Sequence, residues 1–228
     1  MALAGCGVSV GVMRFAREYA AHVPASGLHR LVLISDNGDV TAIAGNVTAI
    51  EIHARIETHD FSELNLDSVS VTRSKGTATI TSVCRHASIV FWRVQNCGVD
   101  YAITYPRSMQ LSVTVVNGDV IADDARAPVN VRTTNGDVTI RAAENDVVAQ
   151  SREGDVTVAL AQGWKGNRVD MKTMFGDVRF RVPDDFRGGV RAHTIFGEID
   201  GLTAYAPRAQ PPIADLSTSF GDVDIIRT

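Results

Sequence analysis

The sequence predicts an all-β fold, a single-stranded parallel β-helix of about nine to ten coils of roughly 20 residues each. Three observations predict it: a motif at near-constant spacing, apolar columns that keep their phase from copy to copy, and a hydroxyl column at one corner. The motif is Gly, an acid, then Val or Ile, at Gly38-Asp39-Val40, Gly118-Asp119-Val120, Gly136-Asp137-Val138, Gly154-Asp155-Val156, Gly176-Asp177-Val178, Gly197-Glu198-Ile199 and Gly221-Asp222-Val223. From Gly118 onward the glycines stand 18, 18, 22, 21 and 24 residues apart. Between Gly38 and Gly118 the rhythm continues more faintly through Lys75-Gly76-Thr77 and Gly98-Val99-Asp100.

Each part of a coil follows from the alignment of these copies. Seven residues before the Gly stand Leu31, Leu111, Val129, Val147, Val169, Val190 and Ala214; five before stand Leu33, Val113, Val131, Ala149, Met171, Ala192 and Leu216. Residues two apart in a strand share a face, so both columns point inward. Three before the Gly, Ser35, Thr133, Ser151, Thr173, Thr194 and Thr218 place hydroxyls on the same parity, with Val115 the exception. Such a column belongs near a corner with bonds to turn groups, since unpaired burial costs ~1–3 kcal/mol. Gly reaches positive φ without a Cβ penalty and is read as that corner, and the Asn before it at Asn37, Asn117 and Asn135 tolerates the same region. An Asn-Gly pair also suits an antiparallel hairpin, so an antiparallel sandwich or meander stands as the alternative. The constant phase favours stacked coils, in which Val138 neighbours Val156 and Val178 neighbours Ile199. At ~4.8 Å per rung the rod is roughly 45 Å long.

At 228 residues, 45% hydrophobic and net −4, the composition is that of an ordinary globular chain with ample core. Residues 15–228 read as one solenoid domain, and the only plausible helix of the chain, Met13 to His22, could equally be an entry strand capping the open end. Residues 1–14 read as an anchor segment around Leu3-Ala4-Gly5-Cys6, a match to the bacterial lipobox, with Cys6 as the lipidation site. Only Met1-Ala2 precede that match, so either a leader lies upstream in the gene or the match is chance. Of the remaining cysteines, Cys84 and Cys97 suit one disulfide in an exported protein, worth ~3 kcal/mol as a chain constraint, or two reduced core residues. Mild acidity without a basic cluster argues against nucleic acid, and no apolar run is long enough to span a bilayer, which leaves membrane association to a lipid anchor.

These columns resemble the bacterial "putative adhesin" family, a domain of unknown function in exported proteins. So do Tyr105-Pro106 leading into Leu111-x-Val113 and Asn117-Gly118-Asp119-Val120, and Val23-Pro24-Ala25-Ser26-Gly27 before Leu31-x-Leu33. The resemblance covers Phe15 to Thr228 and implies a right-handed single-stranded β-helix, often lipidated or membrane-tethered, with no catalytic residues to carry over. This chain departs from the pattern in its cysteine pair and in Phe175, Phe196 and Phe220, which replace the motif Asn in the last three copies. In stacking register these form an aromatic ladder packed at the corner, with display as a ligand platform the alternative.

For chemistry, the acids Asp119, Asp137, Asp155, Asp177, Glu198 and Asp222 stack into a carboxylate column. Turn-capping is the expected role, and weak Ca²⁺ binding or acid and base work on a glycan are the alternatives. His53 and His59 flank Glu57 beside Asp60, read as a surface coincidence, and no phosphate loop, nucleophile elbow or dinucleotide fingerprint occurs. No cofactor is implied. The candidate contact residues are Phe91 and Trp92, between the two cysteines, and Trp164, Phe186 and Tyr205, in longer connections of the kind that often form a binding face. A buried strand and half-packed loop aromatics are the plain alternatives. The expected function is a non-enzymatic binding module or scaffold of the cell envelope that meets a surface protein or glycan. An enzyme acting on polysaccharide competes with it. So does a scaffold that polymerises end to end, suggested by Ile225-Ile226-Arg227-Thr228 lacking a polar cap.

Overall fold

The computed structural model describes residues 15–58, 68–83, 87–89, 92–94, 97–201 and 213–228. Among them there is no helix, and the chain runs as strands β1 (Phe15–Pro24), β2 (Arg30–Asn37), β3 (Val40–Gly45), β4 (Ala49–Thr58), β5 (Ser68–Ser74), β6 (Thr77–Val83), β7 (Ala87–Ile89) and β8 (Trp92–Val94). It continues as β9 (Cys97–Pro106), β10 (Gln110–Asn117), β11 (Val120–Asp123), β12 (Val129–Asn135), β13 (Val138–Ala143), β14 (Val147–Gln150) and β15 (Val156–Leu160). The last strands are β16 (Arg168–Lys172), β17 (Val178–Val182), β18 (Gly189–His193), β19 (Ile199–Asp200), β20 (Ile213–Ser217) and β21 (Val223–Arg227).

Two sheets form the walls, in the orders β1-β4-β9-β3-β11-β13-β15-β17-β21-β19 and β18-β20-β16-β14-β12-β10-β2-β6-β5. The inward columns meet between them. Leu31, Leu111, Val129, Val147, Val169, Ala214 and Val190 are each at most 2% exposed. Copies stack in parallel and in register, with Val138 opposite Val156 as the phase predicts.

The stacking order departs from the order of the sequence at both ends. Val178 pairs with Val223, and Ile199 pairs with the other side of Val223, so the expected neighbours Val178 and Ile199 are two rungs apart, with the β21 rung between them. The last strands to be made, β20 and β21, therefore slot between the β16–β17 and β18–β19 rungs. Phase alone cannot fix order, because every copy offers the same columns. Ladder length can: β21 pairs with all five residues of β17, whereas β19 has two residues and suits the end of the rod. At the other end β2 and β3 lie between the β6–β9 rung and the β10–β11 rung.

Eight parallel rungs are present among the described residues, where nine or ten coils were expected. The difference is antiparallel pairing near the N-terminal end: β4 runs antiparallel to β1 and β9, and β5 to β6. Residues 49–58 carry no Gly-acid-Val motif and alternate Ile50, Ile52, Ala54 and Ile56 inward without a corner, which makes one long strand. Lys75 and Gly76 have φ of 47° and 77°, the geometry of a two-residue hairpin turn and not of a coil corner. From Phe15 on, where it is described, the segment weighed as a helix is likewise a strand, β1.

Candidate binding surface: the corner ladders

At the corner each motif residue meets its own kind on the next rung. The amide of each acid donates to the carboxylate Oδ1 one rung back: Asp39 to Asp100 at 2.9 Å, Asp119 to Asp39 at 2.9 Å and Asp137 to Asp119 at 2.8 Å. Asp155 to Asp137 (2.8 Å), Asp177 to Asp155 (2.9 Å), Asp222 to Asp177 (3.0 Å) and Glu198 to Asp222 (2.8 Å) complete the run. A carboxylate accepting a backbone N–H is a stable turn element, and each step of the column is held in that way. Among the described residues no group of three acids, histidines or cysteines is arranged to hold a metal. Arg179 bridges Asp155 at 2.9 Å and Asp177 at 2.8 Å, and the hydrogen bond to Asp155 raises its already high pKa.

Inside the corner, Thr133, Ser151, Thr173, Thr218 and Thr194 donate to the motif-Gly carbonyl of the preceding rung, at 3.2, 2.9, 2.8, 2.9 and 3.0 Å. This is the bonding that a buried hydroxyl column requires. Deeper in the core, burial pushes the Tyr101 hydroxyl up to about 12 and lifts Tyr105 further, leaving both phenols protonated.

Outside the corner the Asn positions make a second ladder, with Asn117 Nδ2 donating to Asn37 Oδ1 at 2.7 Å. Glu153 and then the three phenylalanines take over this column, in the spatial order Phe175, Phe220, Phe196. Their rings stack at centroid distances of 5.1 Å and interplanar angles of 10° and 12°. The expectation that they pack into the corner is not met: they are 43%, 45% and 64% exposed, beside Met174 and Ile195, exposed 41% and 61%. The reason is that the position is an outward one, and its Asn occupants in earlier copies were the available signal.

The other sequence candidates fall elsewhere. Trp164 donates through Nε1 to the Asn145 carbonyl at 2.7 Å and packs 5.7 Å from Phe186, which is buried against Phe180. This pair packs against the core under a connection, with Phe186 buried and Trp164 half-buried. Cys6, Cys84, Phe91, Tyr205, His59 and Asp60 lie outside the described residues, as does the side chain of Trp92, whose backbone pairs with Ile89 in the β7–β8 hairpin. Cys97 is buried in β9.

A family model, Toastrack DUF4097, matches residues 7–207, most of the chain. The chain belongs to the Toastrack DUF4097 family. No curated protein matches it. Among solved structures this Toastrack chain is similar to a "putative cell adhesion protein" of Clostridium sporogenes, with a TM-score of 0.52 and 13% identity over 94% of this chain and 100% of that one. It is also similar to a "putative adhesin" of Bacteroides fragilis, with a TM-score of 0.42 and 15% identity over 96% and 100%. At 13% identity the likeness to the C. sporogenes protein is one of fold.

Proposed function

We propose that the chain is a non-enzymatic binding module of the cell envelope, contacting a surface protein or glycan through its phenylalanine corner. The observation that carries this reading is the exposed stack of Phe175, Phe220 and Phe196 flanked by Met174 and Ile195. Monomeric soluble proteins rarely leave contiguous large apolar side chains in water without a partner, and aromatic groups supply much of the energy of interfaces. The name of the C. sporogenes protein agrees with this reading. Replacing Phe175, Phe220 and Phe196 together by Ser should reduce binding to the host's envelope fraction at least tenfold while the circular dichroism spectrum is kept. Undiminished binding would remove the corner as the contact site. A second reading, self-association through the β18–β19 end, is favoured by Ile195 and Phe196, the two most exposed large apolar residues among those described, standing there. Sedimentation of Phe196→Ser against the wild type separates it, since only self-association makes the wild type heavier.

Export and anchoring through Cys6, right-handed winding and a Cys84–Cys97 bridge belong to the same proposal. With the upstream gene sequence restored, mass spectrometry of the mature protein should find a lipidated N-terminal Cys6 and a mass two hydrogens below the reduced form. An unmodified Met1 terminus would discard the anchor.

A further inference from the structure

On the solvent face of the second sheet three cations gather around one amide. Arg132, Gln150 and Lys172 stand in register on successive rungs, and Arg152 follows Gln150 by two residues. With Thr114 and Thr134 they line a groove of about 480 Å³ that closes against Met174. The Arg132 guanidinium is held by neutral partners, donating to Gln150 Oε1 at 3.1 Å and to Asn130 Oδ1. Neither Arg152 nor Lys172 forms an ion pair among the described residues, whereas eight other arginines are each closed by a carboxylate. The acids on the same face are engaged or peripheral: Asp170 is held by Arg168 at 2.6 Å, Asp215 faces Arg191 at 3.7 Å, and Glu153 stands in the corner column. In a chain of net charge −4 this is a local excess of positive charge with no internal counterpart.

We propose that this groove binds a linear acidic glycan lying along the rod axis. The proposal rests on the reading of the chain as a surface-binding module but uses a different face from the phenylalanine corner. Arg132 and Lys172 are two rungs apart, ~10 Å at the usual strand spacing. That is about one disaccharide, so carboxylates on alternate sugars meet alternate cations, and an Arg fork pairs well with a carboxylate. Thr114, Thr134 and Gln150 offer donors and acceptors of the kind sugar hydroxyls need. A duplex nucleic acid, with a charge every ~1.7 Å, would require far more cations than three and would meet the acidic column across the corner.

The test is titration calorimetry of the whole chain at low salt with a hyaluronan octasaccharide, whose carboxylates fall on alternate sugars. A neutral chitin hexasaccharide and phosphatidylglycerol vesicles are the comparators. The octasaccharide should bind, weaken as salt is added, and weaken at least tenfold in Arg132→Gln/Lys172→Gln with the melting temperature unchanged. Phe220→Ser should bind it as the wild type does. No octasaccharide binding, equal binding of the neutral sugar, or binding of the vesicles alone would each overturn the proposal. Failure here with an envelope-binding defect in the corner variant leaves the functional reading standing. The opposite pair of results leaves the groove and removes the corner.

Discussion

Ending the chain after Gly201 is expected to strip hydrogen-exchange protection from Val190–His193 and Ile199, residues that precede the deletion. Among the described residues β20 is the only sheet partner of β18, and β21 the only one of β19, so removing the last strands leaves that rung without a described neighbour. The same deletion uncovers Met171 and Phe180, both fully buried in the intact chain, and removes Leu216, Val223 and Ile225 from the core. At ~2 kcal/mol for each large side chain, the loss is on the order of 5–10 kcal/mol near that end. Because rungs of a solenoid interact mainly with their neighbours, the β12–β13 region should keep its protection. Protection persisting at Val190–His193 would mean that the copies stack in simple sequence order.

Gly136→Ala is expected to destabilise the chain by more than about 3 kcal/mol, and Gly27→Ala by no more than about 1 kcal/mol. Both glycines have positive φ, 141° and 73°. They differ in surroundings: a Cβ on Gly136 would lie 2.2 Å from the Gly118 carbonyl oxygen, while one on Gly27 meets nothing within 4 Å. The Gly118 carbonyl also accepts the Thr133 hydroxyl, so yielding to the new methyl would break a buried hydrogen bond as well as a ladder contact. Urea unfolding of the two variants side by side gives the comparison. Equal losses would show that backbone conformation alone, and not rung-to-rung contact, selects glycine at the corners.

What could be read from the chain was what repeats. The inward columns, the hydroxyl column and the acid ladder all follow from aligning copies, since each rung presents the same physics to the next. Order along the rod was illegible for that same reason, and it took the unequal lengths of β19 and β21 to set it. The antiparallel strands were missed where a faint motif was followed through Lys75-Gly76-Thr77, although the unbroken alternation of residues 49–58 was visible. The phenylalanine ladder was found but turned the wrong way, because hydrophobic character was weighed above its position in an Asn column. The cations of the groove come from three coils and approach only through register, which no local motif encodes.

The acid ladder gives the rod a direction, since every carboxylate accepts from the amide on one side only, from Asp100 at one end to Glu198 at the other. Nine or so residues around each corner must therefore be counted without error, while the distance from one corner to the next ranges from 18 to 24 residues in consecutive copies. Among the described residues that slack is taken up in the connections between the strand after one corner and the strand before the next. Such a molecule can lengthen in descent only by whole turns inserted in one orientation, and can acquire new loops only along a single edge, leaving the ladder side as an inherited ruler.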